Sequence, residues 1–228
     1  MNIFNWKYIT IEVAIIVIGI LIALQVGNWK EDHDTRLQEL RSLRELNSEL
    51  LSDLNSLTET EKRCDDVISS LRIVQLHLLN KRQYNYSLQD YAYKIIYEIH
   101  FQYRSSAFNS LRTIGVDLIS NDSLKHLLVE LYDYSYPRNT KLIDSEANRE
   151  KYFDYFDNNR ILEYHLKADN QELKIDEIIN PEVFKDSKFL DLVTTKMGSF
   201  INAKRRLKKL HEEVELLTQR IAKEINYE

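Results

Sequence analysis

Residues 13–24 read VAIIVIGILIAL, twelve consecutive positions without a polar side chain. A helix over this stretch is apolar on every face for more than three turns, which an amphipathic surface helix is not. The flanks carry the aromatic and basic anchors typical of a membrane interface: Trp6, Lys7, Trp29 and Lys30. At ~1.5 Å per residue the two Trp residues lie roughly 34 Å apart, about the thickness of a bilayer core with its interfaces. The sequence therefore predicts a short N-terminal tail (1–7) and a transmembrane helix (8–29).

A cleaved signal peptide is the alternative interpretation of the same run. Cleavage requires a pair of small residues just before the cut, and Leu24-Gln25-Val26 offers no such pair after Ala23. We therefore expect the segment to stay attached as a single-pass membrane anchor.

Two rules disagree about the orientation of this anchor. Basic residues near its two ends are Lys7 and the terminal amine on one side, and Lys30, Arg36, Arg41 and Arg44 on the other. This local excess favours a cytoplasmic main domain. An uncleaved first hydrophobic segment, however, commonly keeps its charged N-terminus inside, so we lean to a periplasmic main domain and leave the side open.

Glu12 is the only acidic residue of the segment, and a carboxylate near hydrocarbon is costly to insert. At ~100° per residue it shares a helix face with Gly19 and Ala23, and Gly27 lies about 60° away. Small residues at this spacing let a second helix approach closely. Three interpretations of Glu12 stay open: contact with headgroup water, a polar contact between paired helices, or a proton- or ion-linked role.

The composition of the chain points to helices. Its 228 residues include 4 Gly and 2 Pro, too few for the turns of a β-sandwich or barrel. A single Cys excludes a disulfide framework within the chain, and a net charge of −5 gives no general attraction to nucleic acid. Residues 31–228 alone carry −6. We predict an all-α fold.

Two seven-residue patterns of apolar residues, typical of coiled coils, predict long helices at the two ends of the domain. The first series is Leu43, Leu50, Leu57, Cys64, Leu71 and Leu78, with Asp53 and Thr60 interrupting its companion positions. The second is Val193, Phe200, Leu207, Val214 and Ile221, after a start signal at Asp186 or Ser187. We expect an amphipathic stalk helix (30–82) to pack antiparallel against a C-terminal helix (187–228).

A run of basic residues on the second helix comprises Lys204, Arg205, Arg206, Lys208 and Lys209. Antiparallel packing predicts that it lies near Asp53, Glu59 and Glu61 of the stalk. Ion pairs between the helices or solvated charge are the simplest interpretation. Anionic lipid and nucleic acid are the alternatives.

Twelve of the 14 Tyr residues fall between Tyr84 and Tyr164, which defines a Tyr-rich helical region (83–167). N-cap signals predict helix starts after Ser87, at Ser105 or Ser106, and at Asn121 or Asp122. Gly115 and Pro137 are expected to break the helices, with a further helix over 140–167 and an irregular connector over 168–186. Tyr at helical spacing indicates half-buried packing or, alternatively, a partner- or ligand-binding surface.

The stretch EVAIIVIGILIALQVGNWKE, residues 12–31, resembles the N-terminal signature of an uncharacterised family of bacterial membrane proteins, a domain of unknown function. Corresponding residues are Glu12, Gly19, Ala23, Gln25, Asn28, Trp29 and Glu31. A second stretch from Ala107-Phe108 through Gly115 to Leu131-Tyr132 is loosely similar. The resemblance implies a helical, single-pass architecture without an established activity. Relatives tend to have a longer, more basic N-terminal tail.

No local pattern indicates catalysis, a metal site or a cofactor. The six His residues form no pair that would place metal ligands on one helix face, and four isolated glycines cannot build a phosphate-cradling loop. Cys64 reads as a small core residue rather than a reactive thiol. A helix-turn-helix over residues 108–128 is weakened by its acidic residues.

The sequence thus predicts no enzyme and no nucleic-acid partner. We expect a membrane-anchored helical protein that self-associates or binds another membrane protein. The competing hypothesis is a sensory or accessory subunit of a membrane complex whose helical domain binds a ligand.

Overall fold

The computed structural model describes the backbone of residues 6–147, 162–169 and 172–226, and the side chains of residues 12–145 and 180–226. The elements in chain order are α1 (Trp6–Leu79), α2 (Gln89–Tyr93), α3 (Ser106–Ile114), α4 (Asp122–Glu130), α5 (Tyr136–Ala147), β1 (Leu162–Asp169), β2 (Glu172–Ile179) and α6 (Ser187–Asn226). Helix α1 joins the apolar N-terminal run to the stalk without a break, as the lack of Gly and Pro between residues 28 and 84 predicts.

Helices α1 and α6 pack antiparallel, which confirms the predicted pairing. At one end the Arg36 guanidinium lies 3.6 Å from the Glu224 carboxylate. Toward the other end the Gln75 amide donates to the Thr194 hydroxyl at 2.9 Å. The C-terminal end of α6 therefore returns to the part of α1 that follows the apolar run.

Both heptad series supply the core, since burial of their apolar faces is the main stabilising contribution to helix packing. Fully buried members on α1 are Leu43, Leu50, Leu57, Cys64 and Leu71, and on α6 Val193, Phe200, Leu207, Val214 and Ile221. Leu78, the last member of the α1 series, is partly buried against the same core.

The third long element of the bundle is a composite helix, because Pro137 does not break the chain as predicted. Helix α4 continues through a π-helical turn, Leu131–Ser135, directly into α5. The Tyr136 amide donates to the Leu131 carbonyl, five residues back. This wider turn absorbs the missing N–H and the ring of Pro137, so the helix runs on.

The region between α1 and α4 is less helical than predicted. Instead of one helix after Ser87, it contains short 3₁₀ turns on either side of α2. Helix α3 begins after Ser105 as expected, and Gly115 ends it with a φ of 123°, a conformation that favours glycine. Asn121 caps α4 by accepting from the Leu124 amide at 3.1 Å.

An antiparallel hairpin replaces the predicted connector over 168–186 and the end of the helix predicted over 140–167. Strands β1 and β2 pair with Leu162 opposite Ile179 and Asp169 opposite Glu172. The middle of that predicted helix, residues 148–161, lies outside the described part of the chain. A 3₁₀ turn, Pro181–Lys185, then leads into α6, where Asp186 accepts from the Lys188 amide at 2.9 Å and confirms the predicted start. All regular elements of the described chain are therefore helices or helical turns except for this hairpin.

Candidate functional site

The first candidate site is the part of α1 that precedes the bundle. Every described side chain from Glu12 to Thr35 is exposed, and Arg36 is the first that is partly buried. The large apolar side chains between Val13 and Leu24 are 48% to 64% exposed. By length and composition, α1 is the one helix of the described residues that could cross a membrane.

The predicted pairing face of this segment is open within the single chain. Glu12, Gly19, Ala23 and Gly27 all lie on the uninterrupted helix. A Cβ added at Gly19 or at Gly27 would meet no atom within 4 Å. A second helix can therefore reach the backbone along this face. That these four residues form a pairing face is predicted from the sequence alone.

Of the predicted interface anchors, Trp29 and Lys30 are exposed on α1. The Trp29 ring is 69% exposed and stacks on the His33 ring, with centroids 5.9 Å apart. Trp6 and Lys7 belong to the same helix, and their side chains lie outside the described residues.

The second candidate site is a row of acidic side chains on α1 that bind backbone amides of the middle region. The Glu39 carboxylate, 2% exposed as a residue, accepts from the Ser120 amide at 2.7 Å and the Ser120 hydroxyl at 2.8 Å. Glu49 accepts from the Ala107 amide at 3.1 Å and also from the Ser106 hydroxyl, at the first turn of α3. Carboxylates stabilise a helix at that end because its first amides lack partners in the helix.

Asp53 is the most buried member of this row, with no exposed surface. Its carboxylate accepts from the Tyr136 hydroxyl at 2.8 Å and from the Arg104 amide and guanidinium at 3.2 Å each. The heptad pattern marked Asp53 only as an interruption, because its partners lie 51 and 83 residues further along the chain.

Aromatic rings surround this carboxylate. Tyr136 stacks on Tyr103 with centroids 4.2 Å apart, and Tyr132 stacks on Phe108 at 4.3 Å. Tyr132 and Tyr136 are 4% and 0% exposed, so this part of the Tyr-rich region forms core, and its hydroxyls are buried rather than at water as half-buried packing predicts. The Tyr132 hydroxyl is buried without a hydrogen-bond partner among the described residues.

Burial controls the acid–base properties of this cluster. It raises the pKa of Asp53 above its ordinary value, against the opposing effects of the Tyr136 and Arg104 hydrogen bonds. It also raises the pKa of Tyr136 and of Tyr132, with the charge of Asp53 adding to both shifts. Both phenols are therefore neutral at any physiological pH, and the Tyr136 hydroxyl donates to Asp53.

One member of the basic run on α6, Lys204, forms an ion pair with α1: its ammonium lies 2.6 Å from the carboxylate of Asp65, which was not among the predicted partners. Of the predicted partners, Glu61 is near the run, since its charge acts on Lys204 and its carboxylate lies 3.0 Å from the ring of His211, beyond the run. Asp53 binds the middle region instead.

A groove of about 700 Å³ lies at the end of the bundle farthest from the apolar run. Leu78, Tyr84 and Phe184 form its apolar wall, and Lys81 and Arg82 line it as well. The Tyr84 and Phe184 rings are 4.8 Å apart. An apolar wall beside cationic groups is the usual composition of a small-molecule site.

Neither a reactive thiol nor a metal-binding group is found among the described residues. Burial raises the pKa of the Cys64 thiol to about 12, and the side chain has no exposed surface. A buried neutral thiol is a poor nucleophile. In the described residues no group of His, Cys, Asp and Glu is arranged to hold a metal ion.

Comparisons with protein-family models, with curated proteins and with solved structures find no match to this chain. The resemblance of residues 12–31 to an uncharacterised membrane-protein family stays a prediction from the residues themselves.

Proposed function

We propose that this chain is a single-pass protein of the bacterial inner membrane that acts by self-association, through binding rather than catalysis. The observation that carries the proposal is the contrast within α1. Its stalk packs against α6 and against α2 and α3 of the middle region, whereas no other described residue covers its apolar run. Exposing this many large apolar side chains to water is unfavourable, and a bilayer covers them without a protein partner.

The direction of the bundle supports pairing between copies. If Glu12 defines 0° around α1, Gly19 and Ala23 lie within about 20° of it at ~100° per residue. On the same scale the buried residues Leu43, Leu46 and Leu50 lie at about 160–220°. The bundle therefore extends from the side of α1 opposite to the small residues. Two copies can meet along the small-residue face while their bundles point away from each other.

Membrane anchoring is tested by adding charge to the apolar run. Each Arg at the centre of a membrane helix costs about 2.5–3.5 kcal/mol. We expect the full chain with Ile18→Arg and Leu21→Arg together to be released from membranes by alkaline extraction, while the unaltered chain resists it. The control places the same two side chains beyond Trp29, as Asp32→Arg with Thr35→Arg, and should resist extraction. Extraction of the unaltered chain would refute the anchor.

Self-association is tested by two identical substitutions on opposite faces. Ala23→Ile puts a bulky side chain on the small-residue face, and Ala14→Ile puts the same side chain about 180° away from it. In liposomes containing the full chain, Ala23→Ile should weaken cross-linking between copies at least about tenfold, which corresponds to ~1.4 kcal/mol. Ala14→Ile should leave it unchanged. Equal effects of both substitutions, or a monomeric unaltered chain by native mass spectrometry, would contradict the proposal.

Ligand binding by the helical domain is the second candidate function, favoured by the groove beside Tyr84 and Phe184. An anionic ligand with an apolar part would match its aromatic wall and its three cations, Lys81, Arg82 and Lys185. A screen of amphiphilic carboxylates against the full chain in detergent should find compounds that raise the thermal midpoint. Phe184→Ala should abolish the effect, and a screen with no response would remove this candidate.

A further inference from the structure

The composite helix and α6 enclose a basic groove of about 410 Å³ at the level of the π-helical turn. Four cations from the two helices line it: Arg138 from α5, and Arg205, Arg206 and Lys209 from α6. Neutral groups of Tyr134, Ser135 and Asn202 also line the groove. This concentration of positive charge lies in a domain whose net charge is −6.

The guanidinium groups of Arg138 and Arg205 are held in place by neutral partners. Arg138 donates to the Tyr134 hydroxyl, and its guanidinium carbon lies 5.3 Å from the centre of the Tyr134 ring. Arg205 donates to the Asn202 amide oxygen at 3.3 Å. Neither arginine has a carboxylate partner among the described residues, whereas Lys209 lies 3.6 Å from Glu213. Oriented guanidinium groups with unused donors are suited to bind a phosphate in bidentate fashion.

The π-helical turn is a second, independent feature of the groove. It contributes Tyr134 and Ser135 to the lining, and it precedes Arg138 by one turn. Such turns are inserted into α-helices most often at functional sites. The same turn accommodates Pro137, and its residue Tyr134 lines the groove and accepts a hydrogen bond from Arg138.

The distance between the groove and the proposed membrane surface excludes lipid headgroups as the occupant of the groove. Lys204, next to Arg205, is ion-paired with Asp65 at 2.6 Å. Asp65 follows Trp29 by 36 residues, which is about 54 Å along the helix at ~1.5 Å per residue. A helix tilt of about 20° still leaves roughly 50 Å, several times the Debye length of about 8 Å in physiological salt. The occupant must therefore come from solution.

We propose that this groove binds a small soluble anion that carries a phosphoryl group, with Arg138 and Arg205 as its principal ligands and Lys209 as a further ligand. The volume of about 410 Å³ admits a diphosphate and leaves room for a further group attached to it. The site itself is formed by the bundle alone, whereas the choice of a soluble anion over a lipid headgroup rests on the proposed membrane anchor.

Isothermal titration of the full chain in detergent micelles with pyrophosphate tests this assignment. Binding is expected with a Kd below about 1 mM, and tricarballylate at equal ionic strength should bind at least about tenfold more weakly. Arg138→Gln and Arg205→Gln should each weaken pyrophosphate binding about tenfold or more, as expected for the loss of a charge-assisted hydrogen bond. Both side chains are exposed, so the variants should retain the thermal midpoint of the unaltered chain.

A matched pair of adjacent lysines separates a site from diffuse charge. Lys209→Gln removes a cation that lines the groove, and Lys208→Gln removes the same charge from an exposed position outside it. The first should weaken binding and the second should change it by less than about threefold, because solvent screens it. Equal losses for the two variants, equal binding of tricarballylate, or no binding of pyrophosphate would each overturn the assignment.

Discussion

Removing one hydroxyl from each of two neighbouring tyrosines should have opposite effects on stability. Tyr136→Phe deletes the donor that lies 2.8 Å from the buried Asp53 carboxylate. Tyr132→Phe deletes a buried hydroxyl that has no hydrogen-bond partner among the described residues. The two substitutions are chemically identical, four positions apart, and lie in the same aromatic cluster.

The expected magnitudes follow from the partners of each hydroxyl. A buried hydrogen bond to a charged group contributes about 1.5–3 kcal/mol, and its loss leaves Asp53 poorly solvated. At about 2 kcal/mol, the thermal midpoint of a chain of this size falls by roughly 4–8 °C. Removing the Tyr132 hydroxyl relieves the cost of a buried, unpaired polar group. The thermal midpoint of the Tyr132→Phe variant should therefore stay unchanged or rise.

Thermal unfolding of the full chain in detergent micelles, followed by far-ultraviolet circular dichroism at neutral pH, measures both effects. Repeating Tyr136→Phe in an Asp53→Asn background provides the control. There the lost hydrogen bond has a neutral acceptor, so the loss should shrink to about 1 kcal/mol. Equal shifts for Tyr132→Phe and Tyr136→Phe would refute this account of the cluster.

Three further outcomes follow from the same contacts. Because burial raises the pKa of Asp53 in the folded chain, the folded state binds more protons than the unfolded state above about pH 4. The contribution of Asp53 to the free energy of unfolding should therefore fall as pH rises through this raised pKa. Asp53→Asn should flatten that part of a plot of thermal midpoint against pH. Glu39→Ala should lower stability by about 1–3 kcal/mol and speed hydrogen exchange of the Ser120 amide, whereas the exposed neighbour Gln38→Ala should do neither. Cys64, with its thiol pKa raised to about 12 and no exposed surface, should resist a maleimide in the folded chain and react in denaturant; rapid labelling of folded protein would show that the core opens.

The two long helices were predictable because their signals are local and periodic. The spacing of the α1 and α6 core residues identified both buried faces, and the lack of Gly and Pro predicted that α1 continues from the apolar run into the stalk. Asn121 and Asp186 were recognisable as caps, because an Asx side chain before a periodic run accepts from an amide two or three residues on.

Pro137 and Asp53 were misread because their roles depend on distant or unusual backbone geometry. A proline within a helical pattern predicts a break, but the five-residue turn before it supplies the space that its ring requires. An aspartate at a heptad position predicts a flaw in the core. Its partners, Tyr136 and Arg104, become neighbours only after the middle region folds back on α1.

The hairpin had a local signal that the sequence interpretation missed. Apolar residues alternate with polar ones from Leu162 to Asp169, a period of two rather than 3.6. The helical composition of the chain favoured extending the preceding helix across this stretch. A separate test of each short window for both periods would have identified β1.

Under the proposed membrane anchoring, the fold fixes the compartment of the basic groove once the orientation of the apolar run is known. Helix α1 runs without interruption from the apolar run to the level of the groove, so anchor and groove move as one rigid element. The end of α6 lies at the base of the bundle, where Arg36 lies 3.6 Å from Glu224. A C-terminal fusion therefore reports the same compartment as the groove. Activity of a phosphatase fusion would place the groove in the periplasm, and fluorescence of a cytoplasm-only reporter would place it in the cytoplasm. The phosphoryl compounds to be tested follow from that result.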